Sequence, residues 1–173
     1  MLYNIYELGI SQIYLSSKKL ENIRQWFSID MSLFQPIEIY NFNGKLRIVD
    51  GHSRAFIAWE NGVTEIPAIL SDNEIVTSEL GQLQYEQDRI WCERFGLNDI
   101  SDLQNRIISH EDYENLWIDR CDVMYNLVCA VRDNKISDLN LENDGLFVYG
   151  ISENLSTYYC EDINGTLSTR SVL

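Results

Sequence analysis

Apolar and polar residues alternate in short runs over the first fifty positions, which predicts strands around one amphipathic helix. Residues 12–15 predict a strand, and Ser16 is placed to cap the helix that follows. Over residues 18–27 apolar side chains recur at helical spacing, so one face of this helix is predicted to be buried. Residues 36–49 then form two apolar runs around an Asn-Phe-Asn-Gly turn, which predicts a β-hairpin.

A glycine-led turn and a second helix follow the hairpin. Asp50-Gly51 breaks the second strand, and residues 53–61 predict a helix for which Gly62 is the natural C-terminal stop. Residues 64–70 predict a further strand, and its proline places it at a sheet edge or near a strand start.

Beyond this strand the pattern is helical and then β again. Residues 78–95 and 98–108 predict two helices, and Ser109 to Asp112 has the pattern of a capping box that opens a third helix through about residue 131. Two β-like runs around Asn164-Gly165 predict a terminal hairpin.

The pattern divides the chain into two regions. Residues 1–74 are predicted as an α/β (α+β) domain with a small mixed sheet and helices. Residues 75–173 are predicted as an acidic helical region with a terminal β-hairpin, which either packs on the first region as one unit or forms a subdomain. The first region has 6 Lys and Arg against 9 Asp and Glu, and the second has 7 against 18, which gives the net charge of −14.

Composition and charge narrow the function. A chain of 173 residues that is 45% hydrophobic is large enough to bury a core. A strongly acidic surface repels a phosphate backbone, so direct binding of duplex DNA is not expected, whereas the acidic half suits a basic protein partner. No run reaches the ~18 apolar residues of a membrane span. Because the N-terminus lacks the basic start of a signal peptide, a cytoplasmic location is expected.

Cysteines and tryptophans are expected to serve the core. Cys92, Cys121 and Cys129 lie in helical apolar patterns and are expected to be buried free thiols. No Cys or His spacing indicates a zinc site or a disulfide framework. Core packing is also expected for the four tryptophans, which are Trp26, Trp59, Trp91 and Trp117.

Candidate chemistry lies in the turn Asp50-Gly51-His52-Ser53-Arg54. A strand leads into this turn and a helix leaves it, so the free N–H groups and the positive end of the helix dipole face one space. Gly51 lets a ligand approach the backbone, and Arg54 can bind two phosphate oxygens at once. His52 and Ser53 add donors, and Asp50 can hold a metal, orient His52 or accept a proton. A tight Asp-Gly corner without a ligand explains the same five residues.

The surroundings of this turn resemble the ParB/sulfiredoxin-like superfamily over residues 10–72. The matching features, in chain order, are an upstream strand and helix, Gln35-Pro36-Ile37 opening a strand, a hairpin, Asp50-Gly51-His52-Ser53-Arg54, a helix starting with Ala55, Gly62 and Ile66-Pro67. The resemblance implies this fold for the first region. It also implies a nucleotide or phosphate site at the turn, formed by Gly51, His52, Ser53 and Arg54.

Members of this superfamily differ at the turn. His52 stands where sulfiredoxins have a catalytic cysteine, and Ser53 stands where ParB partition proteins, which bind CTP, have an arginine. Free-serine kinases carry Asp-Gly-His-His-Arg, which the turn here matches in all but one position. The kinase resemblance implies a catalytic role for Asp50 and a glutamate near the first helix as the base. Glu21 is the candidate because it is the only acidic residue in that helix. His52 is also a catalytic candidate, because with Arg54 it would hold the transferred phosphoryl group.

Three functions therefore stay open. The first is a protein that binds ATP, ADP or CTP with Mg²⁺, or a small phosphorylated molecule, and acts as a small-molecule phosphotransferase. The second is a non-catalytic protein-interaction module. The third is a partition-like or nuclease-like protein that acts on nucleic acid with a basic partner.

Overall fold

The protein has a mixed α+β fold. The computed structural model describes residues 1–133 and three strands at residues 146–151, 157–162 and 167–171. In chain order the elements are β1 (Leu2–Asn4), β2 (Leu15–Ser16), α1 (Ser17–Arg24), β3 (Ile37–Phe42), β4 (Lys45–Asp50), α2 (His52–Glu60), β5 (Glu65–Leu70), α3 (Glu74–Thr77), α4 (Glu79–Arg94), a 3₁₀-helix (Ile100–Asn105), β6 (Ile107–Ile108), α5 (His110–Tyr113), a π-helix (Glu114–Ile118), α6 (Asp119–Arg132), β7 (Leu146–Ile151), β8 (Thr157–Asp162) and β9 (Leu167–Ser171).

A four-stranded mixed sheet carries the first region. Its strand order is β1-β5-β3-β4, with β3 parallel to β5 and the other neighbours antiparallel. Helix α2 connects β4 to β5, and its apolar residues Ala55 to Ala58 are buried. The mixed sheet with helices was therefore predicted correctly, although the short strand β1 was not foreseen.

The predicted hairpin is present with a shorter turn than expected. Strand β3 continues to Phe42, and only Asn43 and Gly44 connect it to β4. Both residues have positive φ, 52° and 89°. This matches the type I′ turn that suits the twist of antiparallel strands. The Asn-Phe-Asn-Gly segment is thus half strand and half turn.

Two predicted elements near the first region are wrong in detail. The strand predicted at residues 12–15 is limited to Leu15–Ser16, and the helix predicted at residues 98–108 is a 3₁₀-helix followed by β6. β6 pairs in parallel with β2, with Leu15 opposite Ile107. This pairing joins residues far apart in the chain, so the local apolar spacing gave no sign of it.

Helix starts follow the predicted caps. The Ser16 hydroxyl accepts a hydrogen bond from the Lys19 amide at 3.4 Å, and the Ser109 hydroxyl accepts one from the Asp112 amide at 3.0 Å. The helix opened by Ser109 extends to Arg132, as predicted, but contains the π-helical segment.

One hydrophobic cluster extends through both predicted regions. It includes Ile5 and Ile39 from the first region and Trp91, Leu103 and Met124 from the second. Residues 75–133 therefore share a core with the sheet, whereas the division of the chain at residue 74 stays a prediction.

Strands β7, β8 and β9 form a separate antiparallel sheet in that order. The predicted pairing of the last two strands is confirmed, and the Asn164-Gly165 turn lies outside the described residues. Within the part of the chain that is described, no helix combines the length and the apolarity needed to cross a membrane.

Candidate functional site: a cleft at the start of helix α2

The Asp50-to-Arg54 turn joins β4 directly to α2. Gly51 is the N-terminal cap residue and has a left-handed backbone, with φ 93° and ψ 18°. Its carbonyl accepts the Ala55 amide at 2.9 Å, and no side chain caps the helix. The amides of His52, Ser53 and Arg54 therefore have no intrahelical acceptor and form the positive end of the helix dipole.

Gly51 is required by the protein's own packing. A Cβ atom at this position would lie 2.7 Å from Ile37 Cγ2 and 2.9 Å from Arg54 Nη2. Ile37 is fully buried and cannot move away. The glycine thus serves both the left-handed turn and the contact between β3 and α2.

Arg54 is held by the turn and by the start of β3. Its Nη1 donates to the carbonyls of Gln35 and Pro36, both at 3.0 Å, and its Nη2 donates to Asp50 Oδ2 at 2.8 Å. Its side chain is 12% exposed, against 69% for Asp50. The guanidinium of Arg54 therefore holds the turn in place. Binding two phosphate oxygens, as predicted for Arg54, would compete with these three hydrogen bonds.

His52 is buried and neutral. It is 4% exposed, and its Nε2 accepts a hydrogen bond from the Ser11 amide at 3.2 Å. Burial lowers the pKa of His52 from its usual 6.5 to about 3. At neutral pH the ring therefore adds no positive charge to the site.

A cleft of about 360 Å³ opens in front of the turn. All five turn residues line it. Its other walls come from the segment before α1, from α1 and from α5, and are formed by Gln12, Lys19, Asn22, Ile23, Trp26 and Tyr113.

The cleft carries positive charge in an acidic protein. Lys19 is exposed on α1, and its Nζ lies 4.4 Å from the centre of the Tyr113 ring. No described carboxylate lies within ion-pair distance of it. The cleft is thus lined by two cations, Lys19 and Arg54, against the single carboxylate of Asp50.

The structure separates Glu21 from the other predicted site residues. Asp50, Gly51, His52, Ser53 and Arg54 come together at the cleft, whereas Glu21 is exposed on α1 and does not line it. The α1 residues that do so recur at helical spacing on a different face.

Sequence reasoning missed several residues of the cleft. Lys19 and Asn22 carried no local signal beyond helical spacing, and Tyr113 is far away in the chain. Trp26 was predicted to pack in the core, but it is 54% exposed and lines the cleft, whereas Trp91 and Trp117 are buried at 1% and 6% exposure. The helical spacing that places Trp26 beside Lys19 and Asn22 was the one usable sign.

A second, smaller cavity also borders His52. It measures about 180 Å³, and His52 and Gln12 line both spaces. The remaining walls include Tyr85 and Asp88 of α4 and Cys121 of α6.

Of the predicted buried thiols, Cys92 is buried, whereas Cys121 and Cys129 are half-buried.

The buried carboxylate of Asp88 pairs with the guanidinium of Arg120. Asp88 accepts a hydrogen bond from Arg120 Nη1, and both side chains are buried. Burial raises the pKa of Asp88, and Arg120 counteracts this shift.

In the described residues no three His, Cys, Asp or Glu side chains form a metal-binding group.

Comparison with known proteins adds no relative. No protein-family model matches the sequence, and no curated protein matches it significantly.

Proposed function

We propose that the cleft binds the phosphate of a nucleotide or a small phosphorylated molecule at the start of α2. The observation that carries this proposal is the uncapped N-terminus of α2 at a cleft that Lys19 also lines. Free amides at a helix start are complementary to phosphate oxygens, and so is an ammonium that has no carboxylate partner among the described residues. They lie together in a protein whose net charge is −14.

The cleft also suits the rest of a nucleotide. Trp26 leaves much of its ring exposed at the cleft. Base stacking on an aromatic ring is worth about 1–3 kcal/mol. A volume of about 360 Å³ lies in the range of small-molecule sites. These features favour ATP, ADP or CTP over inorganic phosphate alone.

Phosphoryl transfer to a small acceptor is the activity proposed for this site. Asp50 is the carboxylate at the cleft and takes the role of the base, whereas Glu21 lies outside it. A Mg²⁺ ion that entered with the nucleotide would neutralise phosphate oxygens and would keep several of its own waters. This leaves Asp50 for the role of the base.

The ParB/sulfiredoxin-like fold is part of the same proposal. The elements on which the resemblance rests occur in the expected order: strand, helix, hairpin, glycine turn, helix and strand. A cytoplasmic location belongs to the proposal as well. Of the two other candidate functions, a protein-interaction module rests on the acidic charge of the chain. A protein acting on nucleic acid rests on the resemblance to partition proteins, and the net charge of −14 disfavours it.

A thermal-shift titration with a matched lysine pair tests the binding site. ATP, ADP and CTP, each with Mg²⁺, are added to the wild type, Lys19→Ala and Lys18→Ala. Lys18 is exposed on the same helix but does not line the cleft. A nucleotide at 100 times its Kd stabilises the folded protein by about 2.7 kcal/mol.

We expect the shift in Tm to survive in Lys18→Ala and to decrease in Lys19→Ala. Equal shifts in the two variants would contradict the site, and no shift with any nucleotide in the wild type would contradict nucleotide binding. Asp50→Asn should then abolish acceptor-dependent release of ADP, followed by ³¹P NMR, while ATP still raises Tm.

A further inference from the structure

The hydrogen bond at one ring nitrogen fixes the proton on the other ring nitrogen of His52. The Ser11 amide donates to Nε2 at 3.2 Å, so Nε2 carries no proton. A neutral imidazole has one N–H, which must therefore be on Nδ1. The tautomer is thus set by a backbone group and does not depend on a ligand.

Ser11 is held firmly enough to impose this choice. Its hydroxyl donates to the Ile48 carbonyl at 2.8 Å, and the Ile48 amide donates to the Gly9 carbonyl at 2.9 Å. Gly9 and the Ser11 hydroxyl, which flank the Ser11 amide along the chain, are therefore both hydrogen-bonded to Ile48 of β4. Protonation of Nε2 would bring two N–H groups face to face.

The Nδ1–H group has no acceptor among the described residues. Only 4% of His52 is exposed, yet the residue lines both the cleft and the smaller cavity. Nδ1 is not among the fully inaccessible side-chain atoms that lack a partner. Its N–H is therefore reachable from the space that His52 lines and can donate to an acceptor of a ligand there.

We propose that His52 is a neutral hydrogen-bond donor of fixed tautomer that contacts an acceptor oxygen of the ligand through Nδ1–H. This inference rests on the proposed function, because the ligand is the one held at the start of α2. The N–H fits an acceptor oxygen, such as that of a phosphate, and disfavours a ligand group that can only donate. It assigns His52 to recognition and leaves proton transfer to Asp50.

Nitrogen-15 NMR of the two-histidine chain reports the tautomer directly. His110→Gln identifies the remaining signals as those of His52, since the chain has only two histidines. In the free protein at neutral pH we expect an unprotonated Nε2 and a protonated Nδ1. Addition of ADP with Mg²⁺, or of inorganic phosphate, should shift the Nδ1 signal and slow exchange of its proton without a second protonation.

Two substitutions separate the two nitrogens. His52→Gln keeps an acceptor near Nε2 for the Ser11 amide and loses the donor near Nδ1. His52→Asn keeps an amide donor near Nδ1 and loses the bond to Ser11. We expect His52→Gln to weaken ADP binding about tenfold at little cost in Tm, and His52→Asn to lower Tm while binding ADP within a few-fold of the wild type.

The outcomes are distinguishable from failure of the proposed function. ADP binding that leaves the Nδ1 signal unchanged, or that is as tight in His52→Gln as in the wild type, overturns the role of His52 alone. A protonated Nε2 in the free protein overturns the tautomer. Absence of binding by every phosphate probe overturns the proposed function and the ligand contact together.

Discussion

Arg54 donates a hydrogen bond to Asp50 across the turn between β4 and α2, with 2.8 Å between Nη2 and Oδ2. The same guanidinium binds the two carbonyls that precede β3. The arginine of the Asp-Gly-His-Ser-Arg turn therefore ties three segments of the fold together. A loss of ligand binding in an Arg54 variant would not by itself identify a phosphate contact.

Arg54→Ala should destabilise the folded protein by about 2–3 kcal/mol, because a charged donor to three oxygens is lost. Arg24→Ala is the matched control, since Arg24 forms a two-pronged but exposed pair with Glu60. Exposed pairs contribute less than about 1 kcal/mol. Urea unfolding of both variants measures the difference, and equal losses would show that Arg54 does not hold the turn.

Gly51→Ala should cost more stability than Gly44→Ala. Both glycines have positive φ, 93° and 89°, so both variants incur the left-handed penalty of about 1–2 kcal/mol. Only at Gly51 does the new methyl group meet a buried side chain, that of Ile37 at 2.7 Å. Overpacking of this kind costs about 1–3 kcal/mol more. Denaturant midpoints check the order, and a reversed order would contradict the packing role.

Local chemistry explains which elements were predictable. The hairpin from Ile37 to Asp50 follows from apolar runs on either side of Asn43-Gly44, since these two residues readily adopt positive φ. The caps at Ser16 and Ser109 follow from hydroxyls placed before apolar helical patterns.

Long-range contacts explain what was missed. The pairing of Leu15 with Ile107 depends on neighbours in space, and residues 107–108 otherwise fit a helical pattern. Glu21 was chosen as the acidic residue of its helix, but only the tertiary fold decides which face of α1 meets the cleft. That face carries Lys19, Asn22 and Ile23 instead, and Trp26 joins them from just beyond the helix.

The buried pair between Asp88 and Arg120 connects α4 to α6 and should be strongly coupled. Arg120→Met leaves a carboxylate buried without its guanidinium and should destabilise the fold by about 3–5 kcal/mol. Asp88→Leu combined with Arg120→Met should lose less than Arg120→Met alone, because no buried charge remains. Arg89→Ala serves as control, since Arg89 pairs with Glu86 and Glu93 at the surface of α4. A double variant that loses as much stability as Arg120→Met, or more, would contradict coupling.

Acid should destabilise the protein through His52. The pKa of this residue is about 3 in the folded protein and 6.5 as its ordinary value, so below pH 6.5 the unfolded chain binds a proton that the folded protein does not. Stability therefore falls as the pH is lowered, by about 2 kcal/mol between pH 7.5 and pH 5. Urea unfolding across this range should show the slope in the wild type and in His110→Gln. The slope should be reduced in His52→Gln, and if it is unchanged there, His52 is not the buried neutral group that the Ser11 hydrogen bond requires.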